Sequence, residues 1–545
     1  MIKRLFNGQI NSINMAALLV ALSSLVSRLL GIFRDRILAG EFGAGDTLDI
    51  YYAAFRLPDL IFNLLVLGAL SAGFIPVFIK LIKKSKDAED LAQADLTKSW
   101  QLASNVLNIL ALSLLILAAL GIFFAPWITK LITPGFSAEK MKLTVGLSQI
   151  MFLSPIFLGI SSVFGGILQS FKRFFVYSLS PIFYNIGIII GALYLVPSWG
   201  IYGLAWGVVI GAVAHLLVQL PTVFSLGYKY HWLINFADSS LRQLGVMMIP
   251  RTLSLAIAQI NLLVITIIAS TLASGSLAVF NFANNLQSFA ISIFGISFAI
   301  AAFPVLTSCA FDKKKLISQL SRTIRQILFF IIPATVLLLT LRAQIVRVIL
   351  GSGQFDWQDT VLTINTLSFF CLSLFAQALI PLLTRAFYAR YDSKTPFIIG
   401  LLVAIFNLFL SLWLAKKLGV SGLALAFSLA NIINFILLWF ILRLELGGLD
   451  QLKIFTSCLK FSFAALAAGA AIQLAKLLVW PFINMTKFWG VLTQGLVAGM
   501  AGIFIYLLVC WLLESEELFA FCTAIKRRLS WKKVQATDQG EARGI

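Results

Sequence analysis

Long apolar stretches of this 545-residue chain contain charged residues, five of which matter most for chemistry. Arg28, Arg34 and Asp35 fall in the first such stretch, Arg56 precedes a Leu-Pro pair in the second, and Arg251 follows a proline in a later one. Each charge of this kind costs about 2.5–3.5 kcal/mol at the centre of a bilayer, so charges kept there usually mark a ligand pathway. The four arginines are therefore candidate ligand-binding residues.

The sign of these charges favours an anionic ligand. The four arginines exceed the single aspartate by three positive charges, and no acidic residue lies deep in the later apolar stretches. A guanidinium fork binds two phosphate oxygens at once. Arg28 and Asp35 share one helix face and are close enough to pair across two turns, whereas Arg34 points about 120° away from Arg28. The pattern predicts a transporter for an anionic, phosphate-bearing amphipathic substrate.

Some of the charged residues have a purely structural interpretation. Arg36 and Lys460 lie near the ends of apolar stretches, where long cationic side chains extend to the membrane surface. Arg56 lies about two turns from such an end, so surface anchoring and ligand binding both remain open. Asp49 precedes an apolar stretch, where we favour a helix-capping or flanking role.

The composition identifies the class of protein that holds these residues. Hydrophobic residues make up 60% of the chain and charged residues 12%, with a formal net charge of +20. The charged fraction is about half that of a soluble domain, so the chain is an integral membrane protein. The sequence has no nucleic-acid-binding, nucleotide-binding or nucleophile motif, and its five cysteines are scattered. We expect no enzymatic activity, cofactor, metal ion or nucleic-acid partner.

Fourteen stretches are long and apolar enough to cross a membrane, which predicts an all-α integral membrane fold. We number them as spans 1–14, at 15–40, 50–79, 100–127, 146–170, 174–196, 200–226, 242–271, 275–309, 320–340, 360–384, 395–415, 420–442, 455–475 and 488–513. Lys and Arg number 27 on the side of the N-terminus and 9 on the opposite side. This bias predicts that both termini are cytoplasmic.

An internal repeat divides the chain. Gly200-Ile-Tyr-Gly-Leu-Ala205 recurs in the second half as Gly419-Val-Ser-Gly-Leu-Ala424, and other positions match in the same order at nearly the same offset. These are the asparagines Asn185 and Asn407 and the prolines Pro76 and Pro304. The repeat predicts two pseudo-symmetric six-helix lobes at 1–227 and 228–450, an extra helix pair at 451–513 and a basic cytoplasmic tail at 514–545. Parallel repeats of this kind are typical of alternating-access transporters.

The N-terminal motifs resemble those of the MviN/MurJ lipid II flippases, within the multidrug/oligosaccharidyl-lipid/polysaccharide exporter superfamily. The resemblance rests on four motifs: Ser27-Arg28-x-x-Gly31-x-x-Arg34-Asp35, Phe42-Gly43-Ala44-Gly45-x-x-x-Asp49, Leu57-Pro58 and Gly68-Ala69-x-Ser71-x-x-Phe74-x-Pro76. The fourteen spans, two lobes and extra helix pair match the family across nearly the whole chain. The resemblance implies movement of lipid II, the undecaprenyl-pyrophosphate-linked peptidoglycan precursor, between leaflets of the bacterial cytoplasmic membrane.

The resemblance also implies roles for individual residues. Arg28 and Arg34 would contact the substrate pyrophosphate in a central cavity, and Asp35 would hold an arginine in place. Asp49 would lie at the periplasmic gate. Spans 13 and 14 would form the groove for the lipid tail.

Three positions depart from the family pattern. Much of the family has an arginine at Phe62 and a glutamate at Leu67, and Asn285 stands where span 8 otherwise carries an arginine. The resemblance thus implies a less charged cavity, in which Arg56 and Arg251 would compensate and Asn285 would supply a hydrogen bond to the substrate.

These observations predict a lipid II flippase for cell wall biogenesis and cell shape, acting as a monomer beside the cell-wall synthesis machinery. Two alternatives stay open. One is a flippase for another polyprenyl-linked oligosaccharide, which the missing arginine and glutamate favour. The other is a non-transporting scaffold of the cell-wall machinery, in which the arginines would be dispensable.

Overall fold

The computed structural model describes residues 13–67, 73–86 and 96–523, and all regular secondary structure in these residues is helical. A helix bonds every backbone amide to a carbonyl of the same segment, as the interior of a membrane requires. The helices are α1 Ile13–Phe42, α2 Asp46–Ile61, α3 Ile75–Lys86, α4 Thr97–Ile132, α5 Ala138–Met151, α6 Ser154–Ser170, α7 Phe174–Ile190, α8 Val196–Trp199, α9 Tyr202–Leu217, α10 Leu220–Ser225, α11 Ser239–Ser270, α12 Ser276–Ala290, α13 Ser297–Ser308, α14 Lys313–Thr340, α15 Arg342–Ile349, α16 Trp357–Cys371, α17 Leu374–Ala389, α18 Lys394–Leu418, α19 Val420–Leu446, α20 Gln451–Val479 and α21 Phe488–Leu512.

Ten helical spans in the described residues are long and apolar enough to cross a membrane, and α16 with α17, bent by 46°, would make eleven. The predicted spans outside this set are 1, 2 and 7, which carry the candidate arginines. The helix α1 contains five charged residues, span 2 includes residues outside the described ranges, and only Leu255–Ser270 of α11 is a continuous apolar helix. The all-helical membrane fold is confirmed, and the full count of fourteen stays a prediction.

Six-residue π-helical segments occur in two of the predicted spans. Phe62–Leu67 follows α2, and Ile291–Ile296 joins α12 to α13 in the second half of the chain. A π-helical turn accommodates an extra residue and occurs mostly at functional sites. Both segments lie within spans that the repeat pairs with each other, so the two halves share this local irregularity.

The two copies of the Gly-x-x-Gly-Leu-Ala motif have the same local structure. Gly200 and Gly419 both begin their motif with a φ near +60°, the left-handed region that favours glycine. A Cβ atom on Gly203 or Gly422 would overlap the backbone of the preceding helical segment. Gly203 and Gly422 therefore permit close packing of backbone against backbone, whereas Gly200 and Gly419 supply the turn.

The described residues pack as two compact units. The first comprises the described parts of 1–285, 349–366 and 400–427, and the second comprises those of 286–348, 367–399 and 428–545. A cluster of aromatic side chains forms part of the first core: Phe74, Phe78, Trp100, Phe171 and Tyr228. A smaller cluster in the second unit packs α20 against α21: Leu341, Ile472, Ala475 and Ala498. All candidate site residues belong to the first unit.

Candidate functional site

Arg34 and Asp35 form an ion pair at the centre of the candidate site. The Arg34 Nη2 and Nε atoms donate to Asp35 Oδ1 at 2.8 and 3.1 Å, and Nη1 donates to Asn185 Oδ1 at 3.0 Å. Asn285 Nδ2 donates to the other Asp35 oxygen at 2.9 Å. We call these four residues the Arg34 cluster. The guanidinium is therefore held in one orientation by two acceptors from different helices.

Local structure on α7 fixes the direction of the Asn185 amide. The Asn185 Nδ2 atom donates to the Pro181 carbonyl at 3.0 Å, so Oδ1 faces Arg34. Asn285 is expected to supply a hydrogen bond to the substrate, and in the structure its amide nitrogen donates to Asp35. It therefore orients the carboxylate that in turn orients Arg34.

The expected pairing of Arg28 with Asp35 is wrong. The Arg28 side chain is exposed and makes no hydrogen bond or ion pair with any described residue. The two residues lie two turns apart, about 10 Å along the helix axis, whereas the Arg34 side chain folds back onto its neighbour. Arg34, which was expected to be uncompensated, is thus the paired arginine, and Arg28 is the unpaired one.

Arg56 points into the protein. Its Nε atom donates to Thr266 Oγ1 at 2.9 Å and its Nη2 atom donates to Asn281 Oδ1 at 2.8 Å. The Thr266 hydroxyl donates to Leu262 and the Asn281 amide to Leu277, so both oxygens are free to accept. We call Arg56, Thr266 and Asn281 the Arg56 cluster. These contacts contradict the surface-anchoring interpretation of Arg56.

Two further residues of α2 belong with these clusters and were not predicted as site residues. The Tyr52 hydroxyl is buried without a hydrogen-bond partner among the described residues, and it lies within electrostatic range of Asp35, Arg34 and Arg56. Asp59 lies within electrostatic range of Arg56 without forming an ion pair. Because Asp59 adds a second negative charge, the positive excess among the described side chains is smaller than expected.

Asp49 caps a helix that is distant in sequence. Its side chain is buried, and its two oxygens accept the backbone N–H groups of Gly275 at 2.8 Å and Ala278 at 3.0 Å, at the N-terminus of α12. Lys140 Nζ lies 3.9 Å from Asp49 and 2.7 Å from the neighbouring Asp46. A carboxylate at this position satisfies unpaired amides and complements the helix dipole. Asp49 was expected to cap or flank the apolar stretch that it precedes, but it lies in the first turn of α2 and caps α12 instead.

Backbone contacts join the loops around Asp49. The Ala44 N–H donates to Asp359 Oδ2 at 2.8 Å, and the Gln354 N–H donates to the Gly40 carbonyl, also at 2.8 Å. We call residues 40–49, 274–278 and 352–359 the loop clasp. Gly275 has a φ of +82°, and a Cβ there would overlap the Ala44 carbonyl oxygen. The backbones of the three segments therefore lie in close contact.

The remaining sequence candidates have different outcomes. The side chain of Arg251, on α11, lies outside the described residues. Phe62 and Leu67, which replace the charged residues of the family pattern, are the first and last residues of the π-helical segment after α2. Arg36 was expected to extend to the membrane surface, but its Nη1 atom donates to the Ile349 carbonyl at 3.5 Å.

The second half of the repeat contains a neutral counterpart of the Arg34–Asn185 contact. Asn407, the repeat counterpart of Asn185, donates to Asn261 Oδ1 at 2.6 Å. Asn261 and Arg34 occupy nearly equivalent positions in the two halves of the repeat. The same contact is thus made by a charged side chain in the first half and by an amide in the second.

Sequence comparison matches residues 38–493 to the family model described as lipid II flippase MurJ. A probable lipid II flippase MurJ of Thermotoga maritima is 30% identical over 500 residues, covering 91% of this chain and 96% of the relative. A probable lipid II flippase MurJ of Buchnera aphidicola subsp. Baizongia pistaciae is 30% identical over 430 residues, covering 77% and 81%. The lipid II flippase MurJ of Burkholderia cenocepacia is 28% identical over 484 residues, covering 86% and 90%.

Structural comparison agrees with the sequence relatives. A solved structure described as lipid II flippase MurJ in an inward closed conformation superposes with a TM-score of 0.73 at 25% identity, covering 91% of this chain and 98% of that one. An inward-facing multidrug resistance MATE family transporter of the MOP superfamily superposes with a TM-score of 0.63 at 16% identity, covering 80% and 99%. The second match shows a shared fold.

Proposed function

Because this chain belongs to the lipid II flippase MurJ family, we propose that it moves lipid II from the inner to the outer leaflet of the bacterial cytoplasmic membrane. The observation that carries this proposal is the family match over residues 38–493, which includes α2 and the loop clasp. The protein is then a transporter for peptidoglycan synthesis, with no covalent chemistry. It acts as a monomer, in proximity to the cell-wall synthesis machinery.

The proposed arrangement has fourteen spans in two six-helix lobes, with both termini in the cytoplasm. The threefold excess of basic residues on the N-terminal side supports this orientation. The π-helical segments in repeat-matched spans and the two equivalent glycine motifs support the two lobes. Spans 13 and 14 take the lipid tail, which the strongly exposed apolar side chains Phe463, Leu466, Met500 and Phe504 support.

The pyrophosphate of the substrate is bound by Arg28 and Arg34. Arg28 is exposed and keeps all five of its N–H donors, while Arg34 uses three of its five on Asp35 and Asn185. Asp35 fixes the Arg34 fork before the substrate arrives, so less conformational freedom is lost on binding. Arg56, Arg251 and the unpartnered Tyr52 hydroxyl extend this polar surface.

The proposed role of the loop clasp is to close the periplasmic side. Asp49 accepts hydrogen bonds from two backbone N–H groups at the N-terminus of α12, and the neighbouring loops are joined by the Ala44 N–H to the Asp359 carboxylate and by the Gln354 N–H to the Gly40 carbonyl. Alternating access requires these contacts to break when the cavity opens outward. Asp49 therefore acts as a gate residue because it caps α12 only in the closed state.

Complementation tests the proposed substrate. The gene for this chain should restore growth and peptidoglycan synthesis to a bacterium depleted of its own lipid II flippase. Failure to restore peptidoglycan by a protein that is present in the membrane would favour another polyprenyl-linked oligosaccharide.

A double variant separates transport from scaffolding. Arg28→Ala combined with Arg34→Ala should abolish complementation, because both phosphate-binding forks are lost. Arg443→Ala is the matched control, since Arg443 is an exposed arginine at the end of α19 outside both clusters. Full activity of the double variant would support the scaffold alternative.

A further inference from the structure

A cavity of about 310 Å³ lies between α13 and α14, in the second compact unit. Its walls differ in character. The α13 side is apolar: Phe298, Ala301, Ala302, Val305 and Leu306. The α14 side is polar: Gln319, Arg322, Thr323 and Gln326. A cavity with one apolar and one polar wall fits an amphipathic ligand.

The polar wall has an unused positive charge. The Arg322 side chain is exposed and makes no hydrogen bond or ion pair with any described residue. No carboxylate is among the residues that line the cavity. The nearest acidic residue along the chain, Asp312, instead contacts Lys315 at 3.1 Å. A negatively charged ligand could therefore pair with Arg322.

Two side-chain amides that can donate hydrogen bonds line the cavity together with Arg322. The side-chain amides of Gln319 and Gln326 make no hydrogen bond within the described part of the chain, and both line the same cavity. The Thr323 hydroxyl donates to the Gln319 carbonyl at 2.8 Å. One guanidinium and two amides in adjacent turns of α14 suit the several oxygens of a phosphate group.

The position of the cavity along the helices indicates its depth in the membrane. The helix α14 begins at Lys313, and Arg322 follows nine residues later, about 13 Å along the axis. In the proposed orientation this end of α14 is cytoplasmic, with Lys313, Lys314 and Lys315 in its first turn. Basic pockets between membrane helices at the cytoplasmic surface are typical sites for anionic lipid headgroups.

We propose that this cavity binds one anionic glycerophospholipid of the cytoplasmic leaflet, with its phosphate on Arg322 and an acyl chain along the α13 wall. The volume is at the lower end of the range for ligand sites, about 300–1,000 Å³. It accommodates a phosphate headgroup. None of the lining residues belongs to the Arg34 cluster or the Arg56 cluster, so the site is separate from the one proposed for the transported substrate, and its test needs no transport.

Lipid binding to the purified full-length protein tests the proposal. The protein in a neutral detergent is titrated with phosphatidylglycerol or phosphatidylcholine, and retained lipid is counted by native mass spectrometry. We expect a preference for phosphatidylglycerol, and Arg322→Gln should weaken its binding about tenfold or more because a charge-assisted contact is lost. Arg443→Gln, which removes an exposed arginine remote from the cavity lining, should leave binding unchanged.

A second variant separates the cavity from the charge. Ala302→Phe fills the space without changing any charge, and it should weaken phosphatidylglycerol binding even if Arg322→Gln does not fold. Equal losses in Arg322→Gln and Arg443→Gln would overturn the proposal, because they would indicate general surface charge. Displacement of the lipid by millimolar inorganic phosphate would also overturn it, since the site would then take the free ion.

Discussion

Asp49→Asn should open the loop clasp while leaving the overall fold intact. Asparagine has nearly the same shape as aspartate, but only one of its two terminal atoms accepts a hydrogen bond. One of the two α12 amides, on Gly275 or Ala278, would therefore lose its acceptor within a buried site. The substitution also removes the negative charge beside the N-terminus of α12.

The expected change in the free energy of opening the loop clasp follows from these contacts. An unsatisfied buried donor costs about 1–3 kcal/mol, and the lost charge–dipole interaction adds about 0.3–1 kcal/mol. We expect a shift of about 2–3 kcal/mol toward the open clasp, which is roughly 30- to 140-fold in the equilibrium constant. Asp46→Asn is the matched control, because the Asp46 side chain is 54% exposed and that of Asp49 only 4%. An exposed ion pair contributes about 0–1 kcal/mol, so this control should shift opening less than about fivefold.

Hydrogen exchange of amides that do not contact Asp49 measures the opening. The Ala44 N–H is bonded to Asp359, and the Gln354 N–H to Gly40. Their exchange rates follow the opening equilibrium when the clasp recloses quickly. Asp49→Asn should raise the exchange rates of both amides roughly 30- to 140-fold. Unchanged rates at Ala44 and Gln354, or equal rates in the two variants, would refute the idea that Asp49 holds the clasp closed.

Three further predictions concern Arg34, Gly275 and the orientation of α14. Arg34→Ala should lower lipid II flipping in proteoliposomes about 10- to 150-fold, and Arg34→Lys should recover only part because lysine lacks the guanidinium fork. Gly275→Ala should lower the unfolding temperature more than Gly227→Ala, since both residues have a positive φ but only Gly275 has a backbone oxygen, that of Ala44, within reach of a Cβ. A cysteine at Lys313 should react with impermeant reagents only from the cytoplasmic side, and labelling from outside would contradict the proposed topology.

The sequence directed attention to particular charged residues but did not predict their contacts. The cost of charge in a membrane singled out Arg34, Asp35 and Arg56, whose side chains all make hydrogen bonds in the first unit, and their role in binding stays a prediction. Helical spacing favoured Arg28 as the partner of Asp35, yet a flexible side chain on the adjacent residue made the contact. Spacing along a helix gives directions of side chains, whereas pairing also depends on acceptors from other helices, such as Asn185.

Neutral partners were harder to predict. Thr266 and Asn281 hold Arg56, but hydroxyl and amide side chains are common in membrane helices and carry no distinctive signal. Asn185 could have been found, because the repeat already matched it to Asn407. The π-helical segments had no such signal, since their sequences are as apolar as those of the predicted spans that contain them. The family pattern drew attention to Phe62, the first residue of one segment, only because much of the family has an arginine at that position.

The backbone contacts of the loop clasp bear on how an inhibitor could be resisted. Gly353 and Gly275 bring their loops against the carbonyl groups of Gly40 and Ala44, so main-chain amides and carbonyls form much of the loop clasp. A compound that recognises the loop clasp through these groups contacts main-chain atoms that no substitution other than proline alters. Replacing either glycine to block the compound would also push the loops apart. Escape by mutation at this face would therefore impair the transporter itself.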